Sequence, residues 1–158
     1  MFGGVVEVLQ GGRLKVSSSQ FVANEAAYGG VLSARRAEVY VEGNETLFAM
    51  NNAKILGGVI YSSQAMLILG GKCIFRDNQA IKGGAIDAEE SSLIKVYNEV
   101  PLAHDIASDR GGGLYLSHST LRYHDERSTL SVSANRANHS GGGMHMSNSL
   151  NFVTIYIS

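Results

Sequence analysis

Pairs of glycine that recur along the chain constrain its fold more than any other feature. The pairs begin at positions 3, 29, 57, 83, 111 and 141, so the intervals are 26, 28, 26, 28 and 30 residues. A fixed period of about 20–50 residues is the signature of a repeat architecture. The chain is therefore read as copies of one unit of about 27 residues.

Two further markers keep the same period. Aliphatic residues recur nine places beyond the second glycine, at Val39, Leu67, Leu93 and Leu121. An apolar residue, a polar residue three places later and an alanine two places after that precede each glycine pair except the first. The apolar positions hold Phe21, Phe48, Phe75, Leu102 and Val132, and the polar positions hold Asn24, Asn51, Asn78, Asp105 and Asn135.

Each copy has the pattern of short β-strands. Segments such as 30–33, 38–42 and 46–50 alternate apolar and polar residues between glycine or asparagine turns, and none has the 3.6-residue period of a helix. Such a unit cannot bury its inner face alone, so it stacks on its neighbours. We predict an all-β fold, a parallel β-helix (solenoid) with about 27 residues and three short strands per coil. Five to six coils span a single segment, residues 1–158.

Stacking turns each repeated position into a column along the solenoid axis. The five apolar positions are expected to form an inward ladder, and the amides to hydrogen-bond from rung to rung, because an amide both donates and accepts. Asp105 departs from this pattern. An ionised carboxylate only accepts, so a strained or partly protonated rung is expected there.

The alternation also predicts an outward column on the first strand of each copy, formed by Ser33, Tyr61, Asp87, Tyr115 and His145. Its mixed chemistry is typical of a solvated face. Aromatic rings beside hydrogen-bonding groups are also common on surfaces that contact ligands. Tyr61, Asp87, Tyr115 and His145 are therefore the candidate binding residues, for a protein or glycan on a host or neighbouring cell.

A catalytic function is the alternative to recognition. Glycoside hydrolysis needs two carboxyl groups about 5–10 Å apart, and a β-helix could carry them on its outer face. Neighbouring coils place no acid above Asp87, but Asp87 and Glu89 could pair along one strand. A carbohydrate-active β-helix enzyme is thus the second reading, a purely structural spacer is the third, and no residue is assigned as catalytic.

Composition bears on other classes of partner and cofactor. The 13 basic and 14 acidic side chains lack the basic excess of a nucleic-acid binder. A single cysteine, Cys73, excludes a disulfide framework, and no His-x-x-x-His spacing indicates a metal site. The longest purely apolar stretch, 65–69, is far shorter than a membrane span. We therefore predict no cofactor, no metal, no nucleic acid and no transmembrane segment.

The repeated residues resemble those of a known family. Phe75-Arg76-Asp77-Asn78, followed by Gly83-Gly84-Ala85-Ile86, is similar to the FxxN and GGAI repeats of the chlamydial polymorphic outer membrane proteins. This resemblance implies a right-handed, pectin-lyase-like β-helix that is exported and used in adhesion. It implies an extracellular or cell-surface location, at the outer membrane if the source is bacterial, and it transfers no catalytic residue.

The two ends of the chain carry a further expectation. The chain begins inside a coil, at 1–4, and its last apolar stretch, 152–157, has no polar cap. We expect a fragment of a longer array, whose open coil ends allow self-association. Asn44 and Asn138 stand in Asn-x-Ser/Thr patterns, which a eukaryotic secretory pathway would read as glycosylation sites.

Overall fold

The computed structural model describes residues 1–152, which form a β-solenoid of parallel strands with about five coils. The rest of the apolar stretch expected to end the chain without a cap lies outside the described residues. The predicted all-β solenoid, with about 27 residues per coil, is confirmed. No helix in residues 1–152 has the length and apolar character needed to cross a membrane.

The strands form four parallel sheets, and each coil adds one strand to each sheet in turn. The first sheet contains β1 (Val6–Val8), β5 (Leu32–Arg35), β9 (Ile60–Ser63), β13 (Ile86–Glu89), β17 (Leu114–Ser117) and β21 (Met144–Ser147). The second contains β2 (Arg13–Ser17), β6 (Glu38–Glu42), β10 (Met66–Leu69), β14 (Leu93–Val96), β18 (Thr120–Tyr123) and β22 (Leu150–Phe152). The third contains β3 (Gln20–Val22), β7 (Thr46–Ala49), β11 (Cys73–Arg76), β15 (Glu99–Ala103) and β19 (Thr129–Ser133). The fourth contains β4 (Glu25–Tyr28), β8 (Asn52–Leu56), β12 (Gln79–Lys82), β16 (Ile106–Arg110) and β20 (Arg136–Ala137).

The fourth sheet adds one strand per coil to the three segments read from the sequence. It arises because the chain turns sharply between the apolar and polar positions of the repeated motif. The residue just before each polar rung has a left-handed backbone, with φ of 55° at Met50 and 59° at Asp77. We call this turn the asparagine corner. The turn at the glycine pairs, between the fourth and first sheets, is the glycine corner.

The core fills the space between the four sheets. Its columns are aliphatic on the first and second sheets, mostly aromatic on the third and alanine on the fourth. One column differs from the spacing in the sequence. Ile94, and not Leu93, pairs with Leu67 and is buried, because Ser91 adds a residue to the preceding turn. Leu93 therefore lies on the outer face.

Candidate functional site

The candidate binding residues lie in file on the outer face of the first sheet. Neighbouring strands pair Ser33 with Tyr61, Tyr61 with Asp87, Asp87 with Tyr115 and Tyr115 with His145. Their neighbours in the strands, such as Ile60 and Ile86, belong to the core, so this column points away from it. We call these five residues the outer column.

The outer column is not the solvated face that its mixed chemistry suggested. Ser33 and Asp87 are fully buried, and Tyr115 and Tyr61 are only 5% and 9% exposed. His145 is half-buried. Its ring stacks on Tyr115 with centroids 5.3 Å apart, and its Nδ1 lies 3.0 Å from the hydroxyl of Ser140.

Side chains from the end of the fourth sheet cover this column. Tyr28 and Lys82, each of which precedes a glycine pair, end their strands of the fourth sheet at the glycine corner. There the Tyr28 ring contacts Tyr61 at a centroid distance of 5.4 Å, and Lys82 Nζ lies 5.0 Å from the Tyr115 ring centre. Sequence alternation could not show this cover, because it describes one strand at a time.

Asp87 occupies the most unusual position of the column. Its strand neighbours on either side are Tyr61 and Tyr115, and neither carboxyl oxygen has a hydrogen-bond partner. Burial raises the pKa of Asp87 well above its usual value, and the nearby Glu89 raises it further, whereas Lys82 lowers it. The carboxyl group therefore holds its proton more tightly than an ordinary aspartate does.

Glu89 shares the outer face with Asp87, two residues along the same strand. It is half-buried, and burial raises its pKa, as Glu90 also does, while Lys82 lowers it. The pair proposed from the sequence is thus brought onto one face. Only Glu89 reaches the surface, so the two acids are not both open to a substrate.

Polar atoms that are buried without a partner concentrate on this same face. Among the described residues the five such atoms are Ser33 Oγ, Arg35 Nε, both carboxyl oxygens of Asp87, and Asp105 Oδ2. The first four belong to the outer face of the first sheet. Buried polar atoms nearly always have a partner in folded proteins, so these four atoms are exceptions, and their burial keeps them out of reach of a docking molecule. The sequence reading missed Arg35, although it follows Ser33 by two places and so shares its side of the strand.

The structure also places the ladder residues in file. The rings of Phe21 and Phe48 stack with centroids 5.1 Å apart, and those of Phe48 and Phe75 with centroids 4.7 Å apart. Leu102 and Val132 continue the column by strand register. The three central members are 0–1% exposed, so the ladder forms the buried wall of the third sheet.

The polar rungs form a hydrogen-bonded ladder at the asparagine corner. Asn51 Oδ1 accepts from the backbone N–H and the side-chain amide of Asn24, at 3.0 and 2.9 Å. Asn78 Oδ1 likewise accepts hydrogen bonds from the backbone N–H and the side-chain amide of Asn51. Asp105 Oδ1 accepts the corresponding two bonds from Asn78, at 2.8 and 2.9 Å. Asn135 Oδ1 accepts only the backbone N–H of Asp105, at 2.7 Å.

Other chemistry-bearing residues stand apart from this face. Burial raises the pKa of the Cys73 thiol to about 12, so the thiol stays protonated. Within residues 1–152 no three histidine, cysteine or acidic side chains are grouped closely enough to hold a metal ion. Asn44 and Asn138 are both exposed.

Comparison of the chain with protein-family models, with curated proteins and with solved structures finds no match. The similarity to the FxxN and GGAI repeats consequently rests on the repeated residues alone.

Proposed function

We propose that the protein is a rigid recognition scaffold displayed outside a cell, and that the outer face of the first sheet contacts a partner. The observation that carries the proposal is the row of partly exposed aromatic and charged side chains along that face, Tyr28, Lys82, Glu89 and His145. A partner with hydrogen-bonding groups would pair with their polar ends, and the rings of Tyr28 and His145 offer apolar contact beside them. A surface protein or glycan of a host or neighbouring cell has this chemistry.

The rest of the molecule supports a scaffold role. The phenylalanine and asparagine columns run through successive coils, so each coil is fixed to the next by buried rings and hydrogen bonds. The apolar column of the third sheet holds only Phe, Leu and Val, whereas the outer column changes its chemistry at every coil. An apolar interior with a varied exterior suits a rod that displays side chains. The resemblance to the exported repeat family supports the extracellular location and the role in adhesion.

Binding to intact cells and to a glycan panel tests this proposal. We expect the purified protein to bind, and Tyr28→Ala and His145→Ala, which remove partly exposed rings of this face, to reduce the binding at least tenfold. Ile74→Ala is the matched control, since Ile74 is exposed on the third sheet. Equal binding by all variants would show that the outer face of the first sheet does not contact the partner. Binding to no cell and no glycan would favour the structural spacer.

A carbohydrate-active enzyme is the second candidate. The observation in its favour is that two acids on one face, Asp87 and Glu89, both have raised pKa values, as general acids do. Its weakness is the burial of Asp87. Release of reducing or unsaturated ends from acidic and neutral polysaccharides would support the enzyme if Glu89→Gln abolished it, and a scaffold releases none.

A further inference from the structure

Two buried carboxyl groups, Asp87 and Asp105, lie in one coil, residues 83–110. Asp87 begins this coil on the first sheet, and Asp105 ends it at the asparagine corner. Both are 0% exposed. Together they contribute three of the five unpartnered buried polar atoms in the described residues.

Asp105 Oδ2 occupies the place that an amide nitrogen fills in the other rungs. Asn51 Nδ2 donates to the carbonyl of Phe21, and Asn78 Nδ2 donates to the carbonyl of Phe48, at 3.0 and 3.2 Å. The equivalent carbonyl for Asp105 is that of Phe75. A charged oxygen there would face an acceptor, whereas a protonated oxygen could donate to it.

The charged groups near Asp105 do not relieve this conflict. Burial is the main reason that the pKa of Asp105 rises to about 7, the hydrogen bonds from Asn78 lower it, and Asp77 raises it. Asp77 itself contacts the guanidinium of Arg76 at 2.6 Å. From the next coil, Asn135 presents its own oxygen to the Asp105 backbone.

Asp87 is confined in the same way by groups from three directions. Tyr61 and Tyr115 flank it from the neighbouring coils, and Glu89 follows on its own strand. The charge of Lys82 lowers the pKa of Asp87, and burial outweighs that attraction. With neither oxygen hydrogen-bonded, ionisation would leave a bare charge between two rings.

We propose that the coil formed by residues 83–110 folds with protons on both Asp87 and Asp105, and that it is an acid-stabilised joint in the solenoid. Proton binding to these two side chains stabilises the coil, and loss of the protons destabilises it. This inference does not depend on the proposed recognition function.

The direction of the pH dependence follows from linkage. An aspartate in the unfolded chain titrates near pH 3.9, whereas the folded groups keep their protons to higher pH, so the folded state binds more protons in between. The stability is fully present below pH 3.9 and is lost as the pH rises through the folded pKa. For Asp105, with a folded pKa of about 7, the unfolding equilibrium constant should rise about 100-fold between pH 5 and pH 8.

Urea unfolding of the full chain at pH 5 and pH 8 tests the joint. We expect the wild type to unfold at a lower urea concentration at pH 8 than at pH 5. Asp105→Asn should reduce the rise of the unfolding equilibrium constant between these two pH values by about 100-fold, and Asp87→Asn should reduce it further. Glu99→Gln is the matched control, because Glu99 is an exposed acid in the same coil. It should keep the wild-type pH dependence.

Titration of the native side-chain carboxyl groups by carbon NMR makes the test independent of any variant that fails to fold. Two aspartates that remain protonated at pH 5.5 would support the joint. All carboxyl groups ionised by pH 5, or a wild type that is more stable at pH 8 than at pH 5, would overturn it.

Discussion

The asparagine corner and the glycine corner close the same coil by opposite means. At the asparagine corner a side chain supplies the hydrogen bonds, as when Asn51 Oδ1 accepts two bonds from Asn24. At the glycine corner the backbone supplies them, as when the N–H of Gly58 donates to the carbonyl of Gly83 at 3.0 Å. One corner requires a particular side chain, and the other requires that none be present.

This difference explains how each corner tolerates change. The asparagine corner accepts an aspartate of nearly the same shape at position 105, at the cost of an unpartnered oxygen. The glycine corner keeps both glycines in every copy. A Cβ on Gly58 would overlap the carbonyl oxygen of Gly84 in the next coil, and backbone atoms cannot move aside as a side chain can.

The largest expected effect comes from adding one methyl group to the glycine corner. Gly58→Ala should cost more than about 4 kcal/mol, or prevent folding, because the new Cβ also lies 2.8 Å from the backbone N and O of Gln79. Urea unfolding followed by circular dichroism measures the loss.

Gly11→Ala is the control for backbone strain alone. Gly11 has a φ of 75°, and no heavy atom lies within 4 Å of an added Cβ, so the cost should be about 1 kcal/mol. Gly58 has no positive φ, so similar losses for the two variants would show that its close approach to the next coil costs little.

The next effect concerns the ring column that leads into the asparagine corner. Phe48→Ala should lower the free energy of unfolding by about 3–5 kcal/mol, because it removes a ring stacked on both sides and leaves a cavity. Val22→Ala is the control on the same sheet, since Val22 is 42% exposed. Thermal unfolding measures both losses, and an equal loss of stability in Phe48→Ala and Val22→Ala would contradict a buried ladder.

Removing one amide should have a smaller effect. Asn51→Ala should cost about 2–4 kcal/mol, because the backbone N–H and the side-chain amide of Asn24 lose their acceptor in a part-buried site. Asn52→Ala changes the neighbouring, half-buried residue and should cost less than about 1 kcal/mol. Equal urea midpoints for these two variants would argue against a rung-to-rung ladder.

The smallest expected effect is a gain. Asp105→Asn should raise the free energy of unfolding by about 2 kcal/mol at pH 8, because the amide restores the donor that the carboxylate lacks. The gain should shrink at pH 5, where Asp105, with a pKa of about 7, keeps its proton. A melting temperature lowered at pH 8 would show that this corner does not require an amide.

The repeats made the backbone predictable, because each marker was present in several copies. The positions of Asn24, Asn51 and Asn78 fix the coil length, and the structure stacks them in file. Features that occur once could not be averaged in this way. Ser91 shifts the register by one residue in the coil of residues 83–110, so Leu93 lies outside where the spacing suggested the column of Leu67.

The burial of the candidate site could not be predicted from the sequence for a different reason. Alternation correctly separates Tyr61 from Ile60 as opposite faces of one strand, but it does not say what covers the outer face. The cover comes from Tyr28 and Lys82, which precede glycine pairs and contact the rings of Tyr61 and Tyr115 on the first sheet. Contacts across a corner depend on the angle between sheets, which no local pattern encodes.

The fourth sheet absorbs differences in coil length. Its pairings slip between Ala26 and Tyr28 and again between Ala80 and Lys82, yet the residues on both sides stay aligned. A peptide inserted at such a slip would leave the buried columns of the rod undisturbed. The solenoid could therefore carry foreign epitopes, one per coil, along a single edge at a spacing of about 4.8 Å.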